Sequence, residues 1–131
     1  MNITELIWKP DYMTGDESVD CQHQYFAELI NRISKVLVET EDVEYEKQLL
    51  TELVKYADFH FTSEENIAHL HGIKGLAKHH NRHMELLEEL NMHIDDLLAR
   101  RYSTEDFIGF LCDWFAGHTA HQDRKFFQGK E

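Results

Sequence analysis

Residues 60–66 read HFTSEEN, and they sit on a patterned stripe. Leu50, Leu53, Ala57, His60, Glu64 and Ile67 follow one another at spacings of 3, 4, 3, 4 and 3, the pattern of one buried helical face. A histidine and a glutamate stand where leucines belong, and burying an unpaired carboxylate costs several kcal/mol. Other stripes carry the same intrusion. His23 precedes Phe26, Ile30, Ile33 and Leu37; His79 and His83 lie with Leu76, Leu86, Leu90, Ile94 and Leu97; His118 follows Ile108, Leu111 and Phe115. Imidazoles and a carboxylate in one apolar layer call for a cation, and a bound metal supplies it. Each pair alone is weak, because histidines four residues apart are common on helices that bind no metal. Inward ligands from four helices at one level are far more specific.

The donor set narrows the metal. There is no thiolate pair for a structural zinc site and no HExxH for a zinc protease. Five histidines exceed what one metal takes while keeping an open position, so two metals bridged by carboxylate fit better. The Glu-x-x-His pair of ferritin-like sites is absent. Imidazole with carboxylate suits iron, and copper or zinc also fits by ligand type.

These residues need elements to position them. Trp8, Pro10 and Gly15 punctuate residues 1 to about 18, which read as a non-helical N-terminal arm. Helices are expected at roughly 20–40, 43–69, 75–99 and 104–127, with Asp20 and Ser103 as N-caps. The links between them are short, which favours antiparallel neighbours. The expected fold is all-α: an up-down-up-down antiparallel four-helix bundle, one domain over 1–131. In that topology His23, His60, Glu64, His79, His83 and His118 all fall near one end of the bundle.

The fourth helix poses a difficulty. A second carboxylate is wanted beside Glu64, but Asp123 lies five residues after His118, about 140° away on a straight helix. His121 and Gln122 point inward better, and periodicity alone chooses His121 as the ligand. Asp123 reaches the metals only if the backbone loosens near 118–123, by a π-type bulge or a helix end.

Composition excludes several functions. A net charge of −12 argues against nucleic acid and against an anionic membrane surface. No apolar run approaches the ~20 residues of a membrane span. The N-terminus lacks a signal-peptide pattern. Cys21 and Cys112 are too few for a disulfide framework and read as reduced, buried small residues. A cytoplasmic setting is expected. Glu65, rotated about 100° from Glu64, reads as a solvated face residue. His69, His71 and His80 read as exposed, and His93 as surface or boundary. Phe26, Leu86 and Phe115 read equally as core or pocket lining, and Trp8 as a cover for the open end or a pin for the arm.

The pieces Trp8, Tyr12 and Gly15, DCQH at 20–23, HFTSEE at 60–65, HHNRH at 79–83 and WFAGHTAHQD at 114–123 resemble, in order, the hemerythrin family, specifically its bacterial single-domain members. They span nearly the whole chain. The resemblance implies two iron ions with an oxo or hydroxo bridge. It implies that His79, His83 and His118 hold one iron, His23 and His60 the other, and that Glu64 and Asp123 bridge both. It thus chooses Asp123 over His121. It further implies O2 as the ligand, at a vacant position on the His23/His60 side. The expected function is reversible O2 binding for storage, transport or delivery, without enzymatic activity. O2 or redox sensing, or a di-iron oxidase or iron- or NO-handling activity, is the rival. The expected state is a monomer, and any protein receiving the oxygen is unknown.

Overall fold

The computed structural model describes residue 6 and residues 8–128, with backbone alone for Asp11, His118, Thr119 and Ala120. Among the described residues the secondary structure is helical, with no strand. A 3-10 turn at Pro10–Tyr12 precedes α1 (Glu17–Glu39), α2 (Val43–Leu70), α3 (Leu76–Leu98) and α4 (Thr104–Asp113). A π-helical stretch, Trp114–Ala120, then leads without interruption into α5 (His121–Gln128). No helix among the described residues is long and apolar enough to cross a membrane.

The helix ends follow local chemistry. Asp16 caps α1, its carboxylate accepting from the Val19 N–H at 3.0 Å, and Glu17 and Asp20 complement the dipole in the first turn. Asp42 and Ser103 cap α2 and α4 in the same way. At the end of α2, Gly72 adopts φ 66°. The Gly72 and Ile73 N–H groups donate back to His69 and Ala68, a Schellman closure that needs the left-handed residue there.

Four helical runs pack around one core: α1 against α2, α2 against α3, and α4 against both α1 and α3. Phe26, Ile30, Leu53, Leu86, Leu90 and Trp114 are among its most buried members. Contacts along α1 and α2 run in opposite order: Gln22 bonds Ser63 and Tyr25 bonds Glu52. The described residues before α1 are tied on by aromatic edges, Trp8 to Tyr12 and Tyr12 to Phe115, and by Asn31, which bonds both main-chain groups of Leu6.

Three expectations change. Helix one begins at Glu17 rather than near residue 20, because Asp16 supplies the cap. Asp20 is instead buried, accepting from the Thr14 N–H and hydroxyl at 2.6 and 2.8 Å and from the Gly15 N–H at 3.2 Å. Helix four is not one α-helix over 104–127, since the π-helical stretch divides it. Cys21 is exposed and Cys112 half-buried, both as free thiols; burial pushes the Cys112 thiol up.

Asp20 thus fastens the segment before α1 to the bundle. Asp20→Ala strands these donors in a buried site. It should destabilise the metal-free protein by roughly 1–3 kcal/mol, read as a lower urea midpoint with an unchanged slope.

Candidate metal centre

Four stripes meet at one buried layer. His23 comes from α1, His60 and Glu64 from α2, His79 and His83 from α3, and Asp123 from α5. His23, His60 and Glu64 are 0 % exposed, His83 and Asp123 1 %, and His79 9 %. Asp123 reaches this layer because of the π-helical turns before it. Hydrogen bonding to the fifth residue inserts extra chain per turn, which re-aims everything downstream. Asp123 and Phe127 consequently face inward, and His121 is exposed. The turns begin at Trp114, earlier than the 118–123 stretch where loosening was expected.

The two carboxylates divide their oxygens. Glu64 Oε2 lies 3.1 Å from His60 Nε2 and 3.6 Å from His23 Nε2. Its Oε1 lies 2.8 Å from His79 Nε2 and 3.1 Å from His83 Nε2. Asp123 repeats the pattern: Oδ2 is 3.0 Å from His23 and 3.7 Å from His60, while Oδ1 is 3.1 Å from His79 and 3.7 Å from His83. Two clusters result, His23–His60–Glu64–Asp123 and Glu64–His79–His83–Asp123. Both carboxylates belong to each.

The outer nitrogens of His60 and His83 are held as well. His60 Nδ1–H donates to Gln22 Oε1 at 2.8 Å, and the Gln22 amide donates to Ser63. His83 Nδ1–H donates to Glu65 Oε2 at 2.8 Å. Glu65 also accepts from His80 Nδ1 at 2.6 Å. Packing fixes two rings, His83 stacked on Phe61 and His79 on Phe126, with centroids 4.2 and 3.8 Å apart. With Nδ1–H committed to Gln22, a neutral His60 presents its Nε2 lone pair to Glu64. In that tautomer His60 Nε2 carries no proton for Glu64 Oε2, and both atoms are buried. Two electron-rich atoms facing each other in a buried layer fit a cation between them, and the donor set suits a borderline metal.

The protonation states agree. Burial alone would lower His23, but hydrogen bonds to Asp123 and Glu64 and their charges outweigh it and push the ring up to about 9. His83 is raised to about 10 by the same partners against the same desolvation. Burial and the neighbouring Asp123 charge would raise Glu64, yet its hydrogen bonds with His23, His60 and His79 bring it down to about 2. Asp123 is likewise held well below the usual range, four histidines overcoming its burial. Without metal, protons on the imidazoles do the neutralising.

Of the sequence-predicted residues, His23, His60, Glu64, His79, His83 and Asp123 are brought together. The His118 side chain lies outside the described residues. Gln22 and Glu65 were missed as site residues. Glu65 is not a solvated face residue: a turn of about 100° from the inward stripe points it at α3, where His83 and His80 meet it. Such a boundary position on a two-helix seam was the available signal.

A helical bundle that gathers histidines and two carboxylates in a buried layer is a cation-binding protein. The chain belongs to the hemerythrin family, since the model of the Hemerythrin HHE cation binding domain matches residues 14–128. Among similar proteins is the bacteriohemerythrin of Clostridium acetobutylicum, 27% identical over 127 residues, covering 92% of this chain and 98% of that protein. Bacteriohemerythrins of Pseudomonas aeruginosa and Pseudomonas paraeruginosa are each 24% identical over 121 residues, covering 92% of this chain and 78% of theirs.

Two outcomes follow from these bonds. A ligating histidine loses about 10- to 100-fold in metal affinity when its outer partner is removed. Glu65→Ala should lower metal affinity by about that factor at unchanged helix content, measured by competition with a chelator. The raised His23 and His83 stabilise the metal-free fold fully below their ordinary value of 6.5, and that contribution disappears as pH rises through about 9 to 10. Urea titrations of metal-free protein from pH 6.5 to 10 should show a falling midpoint. Metal uptake should release protons over the same range.

Proposed function

We propose that this protein binds O2 reversibly at a non-haem di-iron centre, for storage, transport or delivery, and that it is not an enzyme. The observation that carries the reading is the division of oxygens by Glu64 and Asp123 between two histidine groups. A carboxylate serving one metal has no need to point its second oxygen at another set of ligands. His23 and His60 would hold one iron, His79, His83 and His118 the other, and Glu64 and Asp123 would be shared between them, with an oxo or hydroxo group beside them. Held there, two ferrous ions would supply the electrons that reversible O2 binding requires. The helices alternate up, down, up and down behind the non-helical arm, which places every ligand at one end.

The protein's own residues supply the rest. With two histidines on the His23/His60 side against three on the other, that side keeps room for O2. Phe26 and Phe115 pack against those rings, centroids 5.6 Å from His60 and 6.0 Å from His23, so the space there is apolar and dry. Dryness limits proton delivery, and without protons O2 is released intact rather than reduced. His60 is oriented by a neutral amide and His83 by a carboxylate. A charged partner makes a ligand more electron-donating, so the two sides differ electronically as well as in ligand count. We place the protein in the cytoplasm, as a monomer.

The test is anaerobic loading with ferrous iron, admission of O2 and its removal. A visible absorption band that appears and disappears reversibly supports carriage, with two irons per chain by metal analysis. Irreversible oxidation with release of peroxide supports a di-iron oxidase instead, and zinc without any band ends the iron reading. In the same assay Asp123→Ala should lose the metal pair while His121→Ala retains it.

A further inference from the structure

We propose that Tyr56 and Tyr25 form a one-electron route from His60 to the protein surface, an inference that rests on the di-iron reading above. Tyr56 lies one turn before His60 on α2. Their rings are parallel within 7°, with centroids 6.5 Å apart. Tyr25 on α1 comes next, its ring centroid 5.0 Å from that of Tyr56, and it is 36 % exposed. The hydrogen bonds give the two phenols different tasks. Tyr56 donates to the main-chain carbonyl of Gln22 at 2.9 Å, and an amide carbonyl does not take up a proton. Tyr25 donates to Glu52 Oε2 at 2.9 Å, and a carboxylate does. A radical therefore comes to rest on Tyr25, with Tyr56 as the conducting ring between.

The other approaches to the centre lack this continuity. His79 and His83 stack on Phe126 and Phe61, and phenylalanine is not readily oxidised. Tyr12 is separated from His23 by Phe115. Trp114 is buried, its N–H held by the Leu86 carbonyl, with no exposed aromatic beyond it among the described ring contacts. Among the described residues, oxidisable rings in unbroken contact lead outward from His60 alone.

The route serves a defined event. Hydrogen peroxide needs two electrons and two protons to become two waters. A half-reduced metal pair has one electron to give, and Tyr25 gives the second. Its phenolic proton passes to Glu52, and two hydrogen ions taken up from the solvent complete the two waters. A small-molecule one-electron donor then reduces the radical, and Glu52 returns the proton. The oxidising equivalent leaves at an exposed, repairable ring instead of attacking the ligands.

The experiment uses iron-loaded protein reduced by one electron per metal pair, mixed with one equivalent of hydrogen peroxide, frozen and read by electron paramagnetic resonance. A tyrosyl signal is expected. Tyr25→Phe should abolish it at unchanged iron content and unchanged reversible O2 band; Tyr56→Phe should strongly reduce it; Glu52→Gln should lower its yield; Tyr45→Phe, on an exposed ring elsewhere, should leave it intact. Iron-free protein oxidised by a dissolved photo-oxidant supplies an arm independent of the metal. There the Tyr25→Phe protein should lose the dominant radical, and Glu52→Gln should displace it to other tyrosines. No radical in iron-loaded wild type, or a radical indifferent to Tyr25→Phe in either arm, overturns the route. Failure to bind iron overturns the di-iron reading instead.

Discussion

Two carboxylates buried side by side repel each other, and nothing in an apolar helical bundle relieves that by itself. Glu64 and Asp123 nevertheless stay ionised, because four imidazoles surround them within 2.8–3.7 Å. The rest of the molecule is arranged around this requirement. Helices α1, α2, α3 and α5 each contribute to the layer, so none of these can be removed without stranding a charge. The apolar core, with Leu53, Leu86 and Leu90 beneath the layer, supplies the stability that lets the polar layer persist. Compensation comes from protons or from a cation, and the two compete for the same nitrogens.

Much of this was legible in the chain. Spacings of three and four residues gave the helices, and His23, His60, Glu64, His79 and His83 stood out as polar residues on apolar stripes. Asp123 was not legible from periodicity, because a regular helix points it away from the layer. Its placement depends on the π-helical stretch Trp114–Ala120, where hydrogen bonds shift by one residue. A resemblance in motif identified Asp123, whereas geometry alone favoured His121. The cap at Asp16 was overlooked because Asp20 has the same chemistry four residues later. Only the tertiary partners Thr14 and Gly15 distinguish them.

Gln22 and Glu65 show a different limit of sequence reading. Neither lies on the inward stripe, yet each bonds the outer nitrogen of an inward histidine. Positions flanking a stripe point along the seams between helices, and a long polar side chain there reaches the back of a neighbour's ring. Periodicity sorts residues into inward and outward and has no category for the seam. Membership of the hemerythrin family fits the inward set.

His83 is gripped at both nitrogens by consecutive residues of α2, Glu64 at Nε2 and Glu65 at Nδ1. The width of an imidazole therefore becomes a spacer between two helices. A slide of α2 along α3, or a roll about its own axis, cannot preserve both bonds at once. The ring acts as a dowel that fixes the register of the α2–α3 pair. A rigid-body movement of these helices on ligand binding would have to be shared by both.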